Sequence, residues 1–79
     1  MMEPSYTDEN ARAILSIFRD EGVQPGEVLM TEALYLAFLR NPNHKAEDYA
    51  AALRRAGENG WLIDEGNIVR LTEIGSKEL

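Results

Sequence analysis

The stretch that most constrains the fold is the last quarter of the chain, residues 60–79, GWLIDEGNIVRLTEIGSKEL. Two short apolar runs, 61–63 and 68–71, flank a Gly66-Asn67 pair of the kind that makes tight turns between antiparallel strands. A helical pattern of apolar residues precedes them. The sequence therefore predicts a β-hairpin that follows a small helical bundle.

The hairpin has two possible registers. A two-residue turn pairs Asp64 with Val69, whereas a three-residue loop pairs Asp64 with Ile68. Because a slip of one residue turns every side chain of a strand to the other face, the two registers differ in whether Trp61 lies in the core or at the surface. The sequence leaves both open.

Three helices are predicted before the hairpin. We expect residues 1–6 to form a flexible leader and residues 7–79 to form a single domain. The first helix is capped by Thr7 or Asp8, and its apolar positions recur at the helical period: Ala11, Ile14, Leu15 and Phe18. Gly22 ends this helix.

The second helix ends near Arg40 and begins somewhere between Pro25 and Thr31. Residues 33–39 are apolar at seven consecutive positions, so we expect this helix to be covered on most sides. In an alternative interpretation, one strip of it docks a partner or a second subunit, and the strip consists of Tyr35, Leu36 and Leu39.

The third helix is predicted from about Lys45 to Glu58, after a turn at residues 41–43. Its expected buried stripe consists of Ala46, Tyr49, Ala50, Leu53, Ala56 and Gly57. Ala51 and Ala52 are expected on the exposed side, where they leave a shallow spot. After the hairpin, Thr72 caps a short last helix.

Composition excludes several functions. The chain has 79 residues, a formal charge of −6, no cysteine and one histidine, so a thiolate or histidine–histidine metal site is excluded. No Gly-rich phosphate loop and no nucleophile–histidine pair is present, and the chain is short for a substrate pocket. We expect a cytoplasmic protein that is not an enzyme and has no metal, cofactor or membrane association.

The order helix, helix, turn, helix and hairpin, followed by Leu71-Thr72-x-x-Gly75-x-x-x-Leu79, resembles the winged helix-turn-helix domains of PadR- and MarR-type transcriptional regulators. The resemblance implies a mainly α fold, a three-helix bundle with a small two-stranded β-hairpin as the wing. It also implies that the third helix enters the major groove of DNA and that the wing contacts the backbone. The DNA-contacting candidates carried over on this basis are Asn43, His44, Lys45, Arg54, Arg55, Asn67 and Arg70.

The distribution of charge along the chain supports DNA binding in one respect and argues against it in another. Residues 41–57 carry three bases and two acids and are the only region of the chain that is not acidic, which favours DNA binding. The first turn of the third helix nevertheless holds Glu47 and Asp48, and the wing tip holds Asp64 and Glu65. Acids at the start of a helix and arginines at its end also offset the helix dipole, so helix stability alone accounts for these charges.

Two functions follow from the sequence. The first is a winged-helix DNA-binding transcriptional regulator, with weak or dimerisation-dependent binding to double-stranded DNA. The alternative is an acidic winged-helix module that binds a protein partner, or forms a homodimer, and does not bind DNA. The candidate contacts for the alternative are Tyr35, Leu36, Leu39 and Trp61.

Overall fold

The computed structural model describes residues 6–79. Its helices are α1 (Tyr6–Asp20), α2 (Thr31–Leu39), α3 (Ala46–Glu58) and α4 (Glu73–Lys77), and its strands are β1 (Val28–Met30), β2 (Leu62–Asp64) and β3 (Ile68–Leu71). The strands form one antiparallel sheet in the order β1-β3-β2. The described part of the chain is thus mainly helical with a small three-stranded sheet, and the prediction of a two-stranded hairpin alone was wrong.

The strand that was not predicted is β1, which immediately precedes α2 and pairs with β3. Val28 lies opposite Arg70, and Met30 lies opposite Ile68. At the strand end, the amide of Thr31 donates to the carbonyl oxygen of Asn67 at 2.9 Å, and its hydroxyl donates to the carbonyl oxygen of Gly66 at 2.6 Å. These bonds join the start of α2 to the hairpin tip. Helix α2 begins at Thr31, the late end of the predicted range.

The hairpin, β2 and β3 with their connecting turn, adopts the two-residue register. Asp64 pairs with Val69, and the amide of Glu65 donates to the carbonyl oxygen of Ile68 at 2.9 Å. Gly66 supplies the positive φ of 91° that the turn requires. The register turns one face of the hairpin into the core, where Leu62, Val69 and Leu71 are buried.

Helix α1 begins at Tyr6, earlier than predicted. Thr7 is consequently buried inside the helix and is not a solvent-facing cap. Residues 1–5 of the predicted leader lie outside the described residues. The predicted apolar stripe of α1 is confirmed: Ala11, Ile14, Leu15 and Phe18 are all buried.

Helix α3 is rotated relative to its predicted orientation. Ala52, expected at the surface, is fully buried, whereas Ala46, Ala50 and Gly57, expected in the core, are exposed. The reason is that α1 packs closely against α3 and that small side chains on this side allow a close approach. The shallow spot on α3 is therefore at Ala50, not at Ala52.

Helix α2 is only partly covered. Leu34 and Phe38 are buried, but Leu36 is 55% exposed and Ala33 is exposed as well. The expectation that this helix is covered on most sides was thus wrong for one side.

The segment Leu71-Thr72-x-x-Gly75 has a structural explanation. The Thr72 hydroxyl oxygen accepts a hydrogen bond from the amide of Gly75 at 2.9 Å and so caps α4. The Thr72 amide donates to the carbonyl oxygen of Trp61 at 3.1 Å, and Gly75 packs against that same peptide group. This pattern therefore attaches the last helix to the start of the hairpin.

Within residues 6–79, no helix combines the length and the apolar character that a membrane crossing requires.

Candidate binding surface

The two arginines of α3 differ in where they point. The guanidinium of Arg55 forms an ion pair with Asp8 of α1 and lies 3.3 Å from the carboxylate of Glu58. The charge of Arg55 is thus paired with two carboxylates of the same chain. Arg54 is exposed and also has an interaction partner within the chain.

His44 helps to close the turn between α2 and α3. Its ring stacks on the ring of Phe38 with centroids 4.2 Å apart, and its Nδ1 lies 2.8 Å from the carbonyl oxygen of Phe38. Because a carbonyl oxygen can only accept, the proton lies on Nδ1. The amide of Asn43 donates to the side chain of Asn41 at 2.9 Å. The side chain of His44 therefore has a local structural role, and the backbone of Asn43 belongs to the same turn.

Lys45 lies just before α3 and is exposed. It lines a polar cleft of about 470 Å3 between the start of α1 and the start of α3. Three carboxylates line the same cleft, those of Glu9, Glu47 and Asp48. This cleft is therefore net negative and unfavourable for a phosphate group.

Arg70 is bound by groups of its own sheet. Its guanidinium donates to the carboxylate of Glu65 at 2.6 and 3.2 Å and to the carbonyl oxygen of Gly26 at 2.6 Å. The hydrogen bond from Arg70 holds the pKa of Glu65 below its ordinary value, and the same bond raises the pKa of Arg70. Both charges are therefore stabilised by each other.

The position of Arg70 also separates it from α3. In the register of the sheet, Arg70 lies beside Val28 and Ile63, on the face opposite to the buried residues Val69 and Leu71. Asn67 is the other candidate on the hairpin, and its backbone carbonyl oxygen accepts a hydrogen bond from the amide of Thr31. The structure does not bring the seven DNA-contacting candidates together into one continuous basic surface.

The four candidate protein contacts do not form one exposed surface. Tyr35 and Leu39 are half-buried against the core, and only Leu36 projects into solvent. Trp61 is 8% exposed, and the guanidinium of Arg12 lies 4.9 Å from the centre of its ring. Trp61 is therefore not an exposed contact. It is buried although the two-residue register places Leu62 on the core face, because Trp61 lies before β2 and its carbonyl oxygen is held by the amide and the hydroxyl of Thr72.

A groove that was not predicted runs between α3 and the hairpin. We call it the α3–hairpin groove; it consists of two cavities that share Thr31 and Tyr49 as lining residues. One half has a volume of about 610 Å3, and its other lining residues are Ala50, Leu53, Arg54, Gly57, Glu58 and Asp64. The second half has a volume of about 500 Å3, with Met30, Glu32, Tyr35, Gly66 and Asn67. Ala50 and Gly57 are small and exposed, and so they leave the α3 side of the groove open.

Tyr49 lies where the two halves of the groove meet. Its ring packs edge-on against the rings of Tyr35 and Phe38, with centroids 5.1 and 5.6 Å away. The residue is 8% exposed, and its hydroxyl has no hydrogen-bond partner among the described residues. Burial, together with the negative charge of Asp64, raises the pKa of Tyr49 to about 12. Tyr49, which lines the groove, thus carries a buried, neutral hydroxyl that has no hydrogen-bond partner among the described residues.

Sequence reasoning missed this groove because it depends on the rotation of α3. With Ala50 and Gly57 assigned to the core, no concave surface is expected beside the hairpin. The charges were visible in the sequence at Glu58 and Asp64, but their convergence on one groove requires the tertiary structure.

No metal site is formed by the described part of the chain: nowhere in it do three histidine, cysteine or acidic side chains group closely enough to hold an ion. Comparison with known proteins found no matching family model, no matching curated protein and no matching solved structure.

Proposed function

We propose that this chain is a winged-helix domain that acts as an acidic protein-interaction module and does not bind DNA by itself. In this proposal the hairpin is the wing and α3 is the third helix of the bundle. The order of the helices before the hairpin supports the fold assignment, as does the attachment of α4 through Thr72 and Gly75. Fold alone does not decide the function, because the same fold can carry unrelated sites.

The observation that carries the proposal is that two of the candidate arginines, Arg55 and Arg70, form ion pairs and hydrogen bonds within the chain. Phosphate contacts supply most of the affinity of DNA-binding domains. Here Arg70 is held by Glu65 and Gly26, and Arg55 is held by Asp8 and Glu58. A DNA backbone would have to compete with these carboxylates for the same guanidinium groups.

The surface charge supports the same conclusion. The chain carries a formal charge of −6, which repels a nucleic-acid polyanion at long range and attracts a basic partner. Carboxylates also line both the polar cleft and the α3–hairpin groove. A positively charged protein segment is the complementary class of ligand.

A specific observation favours the second candidate, the DNA-binding regulator. Lys45 and Arg54 are both exposed on or beside α3, in the one region of the chain whose charge is net positive. Such a regulator would bind DNA weakly, or only as a dimer, through these two side chains.

Fluorescence anisotropy of a labelled random DNA duplex at low salt distinguishes the two candidates. If the chain is a protein-interaction module, the folded chain shows no measurable binding to the duplex. Binding that weakens steeply with added salt, and that a Lys45→Gln/Arg54→Gln double variant abolishes, would support the regulator instead.

A further inference from the structure

We propose that the α3–hairpin groove is the docking site for a basic peptide segment of a partner protein, and that the Tyr49 hydroxyl donates a hydrogen bond to a backbone carbonyl of that segment. This inference rests on the proposed function of the chain as a protein-interaction module. It adds the site, the chemistry of the partner and the residue that recognises it.

The charge of the groove selects a basic occupant. Its lining residues include the carboxylates of Glu32, Glu58 and Asp64 and a single cationic side chain, that of Arg54. A lysine or arginine of the partner would meet Asp64 on the hairpin and, on α3, the Glu58 carboxylate, which it would share with Arg55. Complementary charges of this kind raise association rates and determine which partners are accepted.

The α3 wall of the groove can accommodate a peptide backbone. Ala50 and Gly57 are exposed and lie on this wall. A Cβ placed at Gly57 would have only the carbonyl oxygen of Leu62 within 4 Å, at 3.8 Å. The wall is therefore shallow, and Leu53 and Tyr49 add apolar surface for the side chains of the segment.

The Tyr49 hydroxyl provides the independent observation. A buried donor without an acceptor destabilises a folded protein, and such groups are rare. The Tyr49 side chain lines both halves of the groove, and its hydroxyl makes no hydrogen bond within residues 6–79. A carbonyl of a docked segment would supply the missing acceptor.

Docking has to expose this hydroxyl. Its oxygen has less than 1 Å2 of accessible surface in the free chain, so the segment must move a neighbouring side chain aside to reach it. The phenol stays protonated well above neutral pH because its pKa is about 12. It therefore remains a hydrogen-bond donor in all ordinary buffers.

The test uses dodecapeptides selected from a random phage-displayed library on the wild-type chain, followed by calorimetry with the synthetic peptides. We expect the selected peptides to be rich in lysine or arginine. Ala50→Arg should abolish their binding, since it fills the groove and adds a like charge at an exposed helix position. Asp64→Asn should weaken binding, whereas Glu21→Gln removes the same charge at an exposed position outside the groove and should have no effect.

Tyr49→Phe tests the role of the hydroxyl with two measurements. It should weaken peptide binding roughly three- to tenfold, by the loss of one hydrogen bond, while the Tm of the free chain is unchanged or higher. An unchanged affinity would overturn the assignment of Tyr49 as the recognition residue.

The remaining outcomes separate this inference from the proposed function. Basic peptides that bind Ala50→Arg as well as wild type would overturn the groove as the site and leave the protein-interaction function intact. Selection of no peptide overturns the docking site, and if the random duplex also binds, the proposed function fails with it.

Discussion

The backbone of Gly75 packs against the carbonyl group of Trp61: a Cβ built at Gly75 would lie 2.2 Å from that oxygen. No side chain fits there unless the backbone of α4 or of the hairpin moves. We therefore expect Gly75→Ala to destabilise the chain by about 2–3 kcal/mol, as in other overpacked interiors. Urea denaturation followed by circular dichroism measures the change.

Gly57→Ala is the matched control for Gly75. Both glycines lie in helices, but a Cβ at Gly57 has its nearest neighbour at 3.8 Å. Alanine should therefore be neutral or stabilise the chain by about 0.5–1 kcal/mol, because it lowers the entropy of the unfolded chain. Equal effects of the two substitutions would contradict the close packing of Gly75.

The ion pair between Arg70 and Glu65 makes the sheet sensitive to acid. The pKa of Glu65 is lowered from 4.5 in the folded chain, so the pair contributes stability above pH 4.5 that is lost as the pH falls through the folded pKa. Glu65→Gln should remove this part of the acid sensitivity. The measurement is the urea midpoint of both proteins between pH 7 and pH 3.

Arg70→Gln provides the second variant for the acid experiment. It removes the hydrogen bonds that Glu65 accepts from the guanidinium and keeps the carboxylate, so this part of the acid sensitivity should be lost here too. A wild-type slope of stability against pH in both variants would show that the Arg70 contact is not formed in solution.

Alkaline pH should destabilise the chain through Tyr49. Its pKa rises from 10.0 to about 12 on folding, so its contribution is fully present below pH 10 and is lost as the pH rises toward 12. Absorbance of the phenolate should show one tyrosine that titrates near pH 12, and this component should be absent from Tyr49→Phe. Titration of Tyr49 at its ordinary pKa would contradict its burial.

The hairpin and the stripe of α1 could be predicted because local pattern determines them. The Gly66-Asn67 pair and the spacing of Leu62, Val69 and Leu71 allow a register that buries all three apolar side chains. In α1, the helical period alone selects the buried face. Neither the hairpin nor the buried stripe of α1 requires knowledge of which other helix or strand packs against it.

Other features depend on tertiary contacts and could not be predicted. β1 has three residues and is a strand only because β3 lies beside it. The packing of α1 against α3 determines which face of α3 is buried: Ala52 is buried and Ala50 is exposed. The α3–hairpin groove follows from this rotation, so neither the groove nor the unpartnered Tyr49 hydroxyl could be predicted from residue spacing.

The most direct test of the proposed function is chemical-shift mapping of the ¹⁵N-labelled chain at low salt, with the random duplex and a selected basic dodecapeptide in separate titrations. We predict that the peptide shifts the amides of Tyr49, Ala50 and Gly57 and those of residues 64–67, and that the duplex shifts none. Shifts at Lys45 and Arg54 on addition of the duplex, lost as salt is raised, would contradict the account.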